Sequence, residues 1–493
     1  MKKLITFLIL MFVGLGLWGQ SARVHDYHSS FQYDSIGYIN GGYAFYVGNQ
    51  IITPYIPLAT PGMTVDTIIV FHNGKLYYIS NNMSSYPNYY VSNDGSDIAS
   101  GLTPATAWRT IHRVNDTILN PGTTVYFNRG DTWNEMLETS YSGTNLMPIT
   151  FTSYGSGVDP IFDGQSTRAN GIKIEGESFI VIDGIDTKNC TEDGIVVFDW
   201  YNVGATNVII QNCTSTDNGY TGFNMNIPYS IILNCNADDN GTTNNHHGIY
   251  MGNASTSNLT YADNFLIENC HASGNSGAGF HLNACGGGTL RYSIAHDNGI
   301  QDYGGWGTIA YEIVAGKTVN IYYNVFYNNI YHGINIGYLH AGCHANIWNN
   351  TVYYNNQSDY GDGILLEQND LVSAGNISIK NNLVFSNRYH ELKHTQQTTQ
   401  YSKSNNDWWK TAGNMIVWNG TTYTQAQFAT YRTASGDVNS ISVDPTVTNA
   451  AGHIFTLLTG SPCINAGISV GLTRDYVGNP IVGLPDIGAY EKQ

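Results

Sequence analysis

The sequence predicts an all-β solenoid, a parallel β-helix with an asparagine ladder and capped ends, on three observations. The pair Asn-Cys recurs at Asn189-Cys190, Asn212-Cys213, Asn234-Cys235 and Asn269-Cys270, each time followed by a polar turn. Short apolar strands led by glycine then recur: "GIKIEG" from Gly171, "GIVVFDW" from Gly194, "GFNMNI" from Gly222, "GIYMGN" from Gly248, "GFHLNA" from Gly279, "GINIGY" from Gly333 and "GILLEQ" from Gly363, with a degenerate "AYEIVA" from Ala310. Their spacing of roughly 23 to 31 residues is the period of one solenoid coil. A second strand series lies between them ("FIVIDG", "NVIIQN", "SIILNC", "NFLIEN", "VNIYYN", "ANIWNN", "ISIKNN"), joined by Asn, Gly and Asp turns.

Alternation with period two sorts each strand into faces. In the glycine-led series Ile172/Ile174, Ile195/Val197, Phe223/Met225, Ile249/Met251, Phe280/Leu282, Tyr311/Ile313, Ile334/Ile336 and Ile364/Leu366 are expected to face the core. Asn189, Asn212, Asn234, Asn269, Asn324, Asn350 and Asn382 are expected at one turn position in successive coils, with Ser293 interrupting the row. Stacked amides there satisfy each other and the backbone. Cys190, Cys213, Cys235 and Cys270 then stack beside them as small apolar residues.

The organisation follows. Residues 1–20, "MKKLITFLILMFVGLGLWGQ", carry two lysines, an apolar run and small residues, the pattern of a cleaved secretory signal, so the chain is expected to be secreted or at the cell surface. Residues 21–88 are Tyr-rich and strand-like, with no function readable. Residues 89–147 form an N-terminal cap and first coils, with a short helix within Thr110–Ile118; 148–394 form the coil stack; 395–493 supply the last coils and a cap, since a solenoid must cover its terminal apolar coil. No later stretch is apolar enough to span a bilayer.

The 493 residues carry a net charge of −17 with only 20 Lys and Arg, which argues against nucleic acid or an anionic membrane as partner. Seven cysteines are an odd number, and the four beside the ladder have parallel side chains. Buried thiols are expected, with a single bridge left open. No Cys-x-x-Cys pair suggests zinc.

The stretch "YYVSNDGSD…TPATAWRTI…LNPGTTVYFNRGDTW", the coils, and the ending "SPCINAG…PDIGAYE" together resemble secreted bacterial right-handed parallel β-helix proteins of the pectate-lyase-like superfamily, from about residue 89 to the end. The resemblance implies a right-handed fold and carbohydrate involvement. The superfamily includes lyases, hydrolases, epimerases, tailspikes and adhesins, and fold does not choose among them. Substrates in it usually lie along one exposed sheet.

The outward positions of the glycine-led strands are therefore the expected site: Lys173/Glu175, Val196/Phe198, Asn224/Asn226, Tyr250/Gly252, His281/Asn283, Glu312/Val314, Asn335/Gly337 and Leu365/Glu367. Amides bind sugar hydroxyls and Tyr250 stacks on a ring, so Asn224, Asn226, Tyr250, Asn283 and Asn335 are substrate-binding candidates, with His340 on the rim. His281 and Glu312 are expected as neighbours about 5 Å apart at Cα, an acid/base unit. Glu367, roughly 12 Å from Glu312, completes an inverting pair if long side chains narrow the gap to about 6.5–9.5 Å. Glu192, Asp193 and Asp199 in "TEDGIVVFDW" are the calcium candidate, the only cofactor suggested, with Asp238-Asp239 a second acidic turn. His247 and His332 precede glycine where other coils have Asp193 and Asp362, and read as turn caps. Arg291 and Lys317 lie off the strip, so elimination lacks a base other than His281.

These readings lead to a secreted polysaccharide-degrading enzyme, nominally a glycoside hydrolase using His281, Glu312 and Glu367. The alternatives are a calcium-dependent polysaccharide lyase or uronate epimerase, and a non-catalytic glycan-binding or adhesive protein.

Overall fold

Three parallel sheets wind around one apolar core, each coil contributing one strand to each sheet. The computed structural model describes residues 87–493 apart from Asn244, 253–260, 300–304, Tyr338, 356–360, 368–375 and 396–399; of residues 1–86 it describes the backbone of strands between Tyr27 and Ser80. The expected signal segment lies outside the described residues. Contacts divide the chain at Tyr86/Pro87 into two units. The first contains a three-stranded antiparallel sheet (Tyr27–His28, Lys75–Ser80, Thr67–His72) and a four-stranded one built on Ser35–Ile39 and Gly42–Val47.

In the second unit the glycine-led series forms one sheet, running from Leu137–Thr139 through Ile172–Glu175, Ile195–Phe198, Phe223–Met225, Ile249–Gly252, Phe280–Asn283, Thr308–Tyr311, Ile334–Gly337, Ile364–Glu367 and Leu392–His394 to Asn414–Trp418. Successive strands pair in parallel, Ile195 with Phe223, Ile249 and Phe280, so like residues stack over like. Their inward side chains are fully buried, as the alternation requires. One coil departs from expectation. The strand is Thr308–Tyr311, with Thr308 and Ala310 inward, and its leading glycine is Gly307. Tyr311 therefore faces outward, and Ile313 is buried beyond the strand, in the turn.

The Asn-Cys pairs mark two different corners. Asn212, Asn234 and Asn269 have φ of 55°, 53° and 53°, the left-handed conformation that asparagine tolerates, and their amides form an outer ladder: Asn234 Nδ2 donates to Asn212 Oδ1 (3.2 Å) and Asn269 Nδ2 to Asn234 Oδ1 (2.7 Å). The next residue turns inward, and this row reads Cys213, Cys235, Cys270, Ser293, Asn324, Asn350, Asn382, Asn406. Asn324, Asn350 and Asn382 thus belong with the cysteines, one residue past the expected position; Asn324 Nδ2 donates to Asn350 Oδ1 and Asn350 Nδ2 to Asn382 Oδ1, each at 3.0 Å. Asn189 sits at another corner, alongside Asp217 and Asp239, all with positive φ.

Behind that second corner runs an inner ladder the expectation missed, Asn218, Asn240, Asn275, Asn298, Asn329, Asn355 and Asn387, entered from Cys190. From Asn240 onward each amide oxygen accepts both the backbone N–H and the Nδ2 of the asparagine before it, and each Nδ2 donates onward. The row ends on the buried Glu391, which accepts Asn387 Nδ2 at 2.6 Å and whose carboxyl is pushed up by burial. Its signal was present as an asparagine two residues past each short strand ("STDNG", "ADDNG", "AHDNG").

All seven cysteines are buried and free, as the thiol reading expects. The helix Ile111–Asn115, shorter than the expected span, is N-capped by Thr110 Oγ1 accepting the Arg113 N–H, and buries Ile111 and Val114. At the other end the helix Phe428–Ser435 buries Tyr431, while Phe455, Leu457, Cys463, Ile487 and Ala489 pack on Val325, Tyr327, Leu383 and Phe385, on the outer face of a second sheet. Among the described residues no helix is long and apolar enough to cross a membrane.

Candidate functional site

Outward residues of three neighbouring strands meet at a cleft of about 360 Å³. Asn224 stands beside Tyr250 and Tyr250 beside His281, in strict register, and Gly252 stands beside Asn283. The residues before the strands close one wall: Asp193, Thr221 and His247, with Tyr220 and His246 stacked at 4.3 Å nearby. Gly252 is required here. A Cβ on it would fall 2.4 Å from the Tyr250 ring, so its absence lets the phenol lie across the sheet and place its hydroxyl 3.1 Å from Asn283 Nδ2, from which it accepts.

The residue before each leading glycine caps the turn of the following coil. Asp193 Oδ1 accepts the Thr221 N–H (2.9 Å), His247 Nδ1 accepts that of Ala278 (3.0 Å), and His332 Nδ1 that of Asp362 (2.9 Å). The capping role expected of His247 and His332 is therefore observed. It also fixes a tautomer, because a backbone amide only donates. His247 Nδ1 is a lone pair, so its proton is on Nε2, and Nε2 donates to His281 Nδ1 across 2.6 Å. His281 in turn carries its proton on Nε2. Burial pushes the His281 imidazole down to about 3 and holds His247 low as well, so both are neutral at physiological pH.

Asp193 is the ionisable carboxyl of the cleft. Burial pushes it up to about 6, against the hydrogen bonds from Asn224 Nδ2 (3.0 Å) and the Thr221 N–H that favour its charged form. Asn226 Nδ2 donates to Asn224 Oδ1 (2.8 Å), leaving Asn226 Oδ1 buried without a partner; Asn283 Oδ1 is likewise unpaired. A buried amide oxygen without a partner costs free energy until a donor arrives, and hydroxyl groups of a ligand are such donors.

Several expected placements are corrected. His281 stands beside Ile309, and Glu312 lies three residues further on, in the turn with φ 53°. The expected His281–Glu312 unit is not built: the coil begins at Gly307, and a three-residue slip, being odd, exchanges the faces. Glu312 is near enough that its charge adds to burial in raising the Tyr250 phenol. Glu367 stands two strands from Tyr311, in line with Gly337, and does not line the cleft. Asn335 is outward, buried and has an unpaired Oδ1, but lies three strands from Tyr250; His340 is exposed in the loop beyond it. The calcium candidates do not converge. Asp199 accepts the N–H groups of Val203, Gly204 and Ala205 at 2.9 to 3.0 Å as a loop cap, Glu192 is exposed, and Asp193 faces the cleft. Asp238 instead receives Ser273, and among the described residues no group of three or more His, Cys, Asp or Glu is arranged for a metal.

A second polar cluster follows further along the same sheet. The buried Asp362 accepts His390 Nδ1–H at 2.6 Å, His332 lies 3.6 Å away, and Lys393, in line with Leu365 and Asn335, approaches to 3.8 Å. Sequence reading missed the joining of Asp362 and His390, which stand in equivalent turns 28 residues apart.

The comparisons agree with this geometry. Residues 165–338 and 243–408 match the family described as a right-handed β-helix region. No curated protein matches the sequence. Among solved structures the chain is similar to pectate lyase Pel9A (18% identity, TM-score 0.56, covering 83% of this chain and 96% of that one) and to a GH136 lacto-N-biosidase from Eubacterium ramulus (13%, 0.54, 73% and 67%). It is similar also to XylC solved with xylose (9%, 0.51, 82% and 98%). This chain is a right-handed parallel β-helix. At such identities the likeness carries the fold of the β-helix, and the chemistry must be argued from its cleft.

Proposed function

We propose that this β-helix is an exported carbohydrate-active enzyme that binds a polysaccharide along the glycine-led sheet and cleaves it by elimination at a uronate residue. The observation that carries the reading is one buried carboxyl, Asp193, in a cleft with two neutral hydrogen-bond donors, the His281 Nε2–H and the Tyr250 hydroxyl, and with the unpaired amide oxygens of Asn226 and Asn283 as acceptors. Elimination needs one base. Asp193 takes the proton α to the sugar carboxyl, the His281 N–H stabilises the charge that develops there, the amide oxygens of Asn226 and Asn283 accept from sugar hydroxyls, and Tyr250 donates its proton to the departing glycosidic oxygen as the C–O bond breaks. The Tyr250 hydroxyl accepts from Asn283, so its own proton is free for this.

Hydrolysis, the nominal expectation, requires a second carboxyl about 6.5–9.5 Å from the first in its inverting form. Among the described residues lining the cleft, Asp193 is the single carboxylate, and Glu312 lies four interstrand steps away, about 19 Å at 4.8 Å per step. The names of the solved relatives, a lyase and a glycosidase, support a carbohydrate substrate and leave this choice open.

The test is incubation with uronate-containing and neutral polysaccharides, reading new reducing ends and the absorbance of unsaturated products on the same samples. Both signals together support elimination. Reducing ends alone would establish hydrolysis and overturn it, and glycan binding with neither signal would establish the adhesive alternative.

A further inference from the structure

On a different sheet from the cleft, the outward side chains of His271 and His296 bring their Nε2 atoms to 2.8 Å of each other. Each imidazole is held from behind. His271 Nδ1 lies 3.2 Å from Asp238 Oδ1, an oxygen that also accepts the N–H and Oγ–H of Ser273, and His296 Nδ1 lies 2.6 Å from Asp297 Oδ2. An ionised carboxylate accepts only, so both Nδ1 atoms carry protons. In the neutral rings both Nε2 atoms are then lone pairs facing one another, an arrangement that is repulsive unless a cation lies between them. His296 is further fixed by stacking on Tyr327 at 4.6 Å, which stacks on His453 at 4.1 Å.

We propose that His271 and His296 bind a divalent transition-metal ion, of the class of Cu²⁺, Ni²⁺ or Zn²⁺, through their Nε2 atoms. Imidazole suits these ions, and a carboxylate behind each ligating ring is the arrangement that fixes the tautomer and raises ligand basicity. At metal–nitrogen distances of about 2.0–2.1 Å, two nitrogens 2.8 Å apart subtend an angle near 86°, that of neighbouring ligands in square-planar or octahedral geometry. Tetrahedral Zn²⁺ needs them about half an ångström further apart, a shift for two partly exposed side chains. Both rings are partly exposed, so water can complete the coordination. The site is independent of the cleft and of the activity proposed there.

The test is calorimetric titration of the untagged, EDTA-treated and desalted full chain with Cu²⁺, Ni²⁺ and Zn²⁺, together with Cu²⁺ electron paramagnetic resonance. The expected result is one ion per chain with nitrogen hyperfine structure from two imidazoles. His271→Gln and His296→Gln each abolish it, Asp297→Asn weakens it about 10- to 100-fold, and His247→Gln, in the cleft, leaves it intact. The outer-face positions of His271 and His296 make folded variants the expectation, checked by circular dichroism; Asp297→Asn tests the site without touching a ligand. Absence of binding to the wild-type chain, meaning a shared proton only, overturns the proposal, as does binding that survives both histidine substitutions.

Discussion

His247 donates its Nε2–H to Nδ1 of His281 across 2.6 Å, and it does so because the Ala278 backbone N–H occupies the other nitrogen of His247. The tautomer of the groove-facing imidazole is thereby set by a turn one coil away. His281 offers a hydrogen-bond donor to the cleft, not a base. His247, which acts through His281, is a positioning residue.

Replacing His247 with Ala removes that constraint and lets His281 adopt either tautomer. The expected result is a loss of about 10- to 100-fold in kcat with little change in KM, below the about 10²–10³-fold cost of removing a preorganised donor outright, because the His281 N–H is loosened and not removed. His247→Gln is expected to restore part of the rate, because the amide both accepts and donates. Equal loss in both variants with an unchanged kcat/KM split would contradict the assignment.

Asp193→Asn is expected to lower turnover by at least about 10²-fold, the usual size of a general-base contribution. Wild-type activity should rise with pH through about 6 as the carboxyl ionises. His281, neutral down to about 3, should add no inflection between pH 5 and 8. A pH–rate profile with a basic limb centred near 6.5 would instead identify a titrating histidine.

The same substitution should stabilise the fold at neutral pH. Burial raises Asp193 from 3.8 to about 6, so the folded chain holds the proton more tightly than the unfolded one. Stability is then full below about 4, falls as pH rises through 6, and is lower at pH 8 by at most about 3 kcal/mol. Thermal unfolding of wild type and Asp193→Asn at pH 4 and pH 8 should show the variant's advantage at pH 8 only.

Asn298 carries four ladder bonds: it accepts from the backbone and side chain of Asn275 and donates to Asn329 and the Ala272 carbonyl. Asn298→Ala leaves buried donors and acceptors unpaired on both sides and is expected to cost about 2–4 kcal/mol. Asn212→Ala, in the solvent-facing outer ladder, is expected to cost about 1 kcal/mol or less, chiefly through the left-handed backbone it must hold. Urea unfolding of the two variants would separate the ladders, and equal costs would contradict their distinction.

The sequence by itself determined the coil period, the inward residues of seven of the eight glycine-led strands, and the strip Asn224, Tyr250, His281 with Asn226 and Asn283. These depend on local alternation and on glycines that mark the same turn in every coil, and a parallel stack turns such repeats directly into neighbours. Only the tertiary structure decided which residues meet across coils of unequal length. A slip at Gly307 separated His281 from Glu312, and a one-residue offset divided the asparagines between an outer and an inner row. Asp193, read as a calcium ligand, became the buried carboxyl of the cleft because its partners Thr221 and Asn224 come from the next coil. The tautomer of His281 was likewise unreadable, for it depends on a backbone amide that only the register of Ala278 against His247 brings into place.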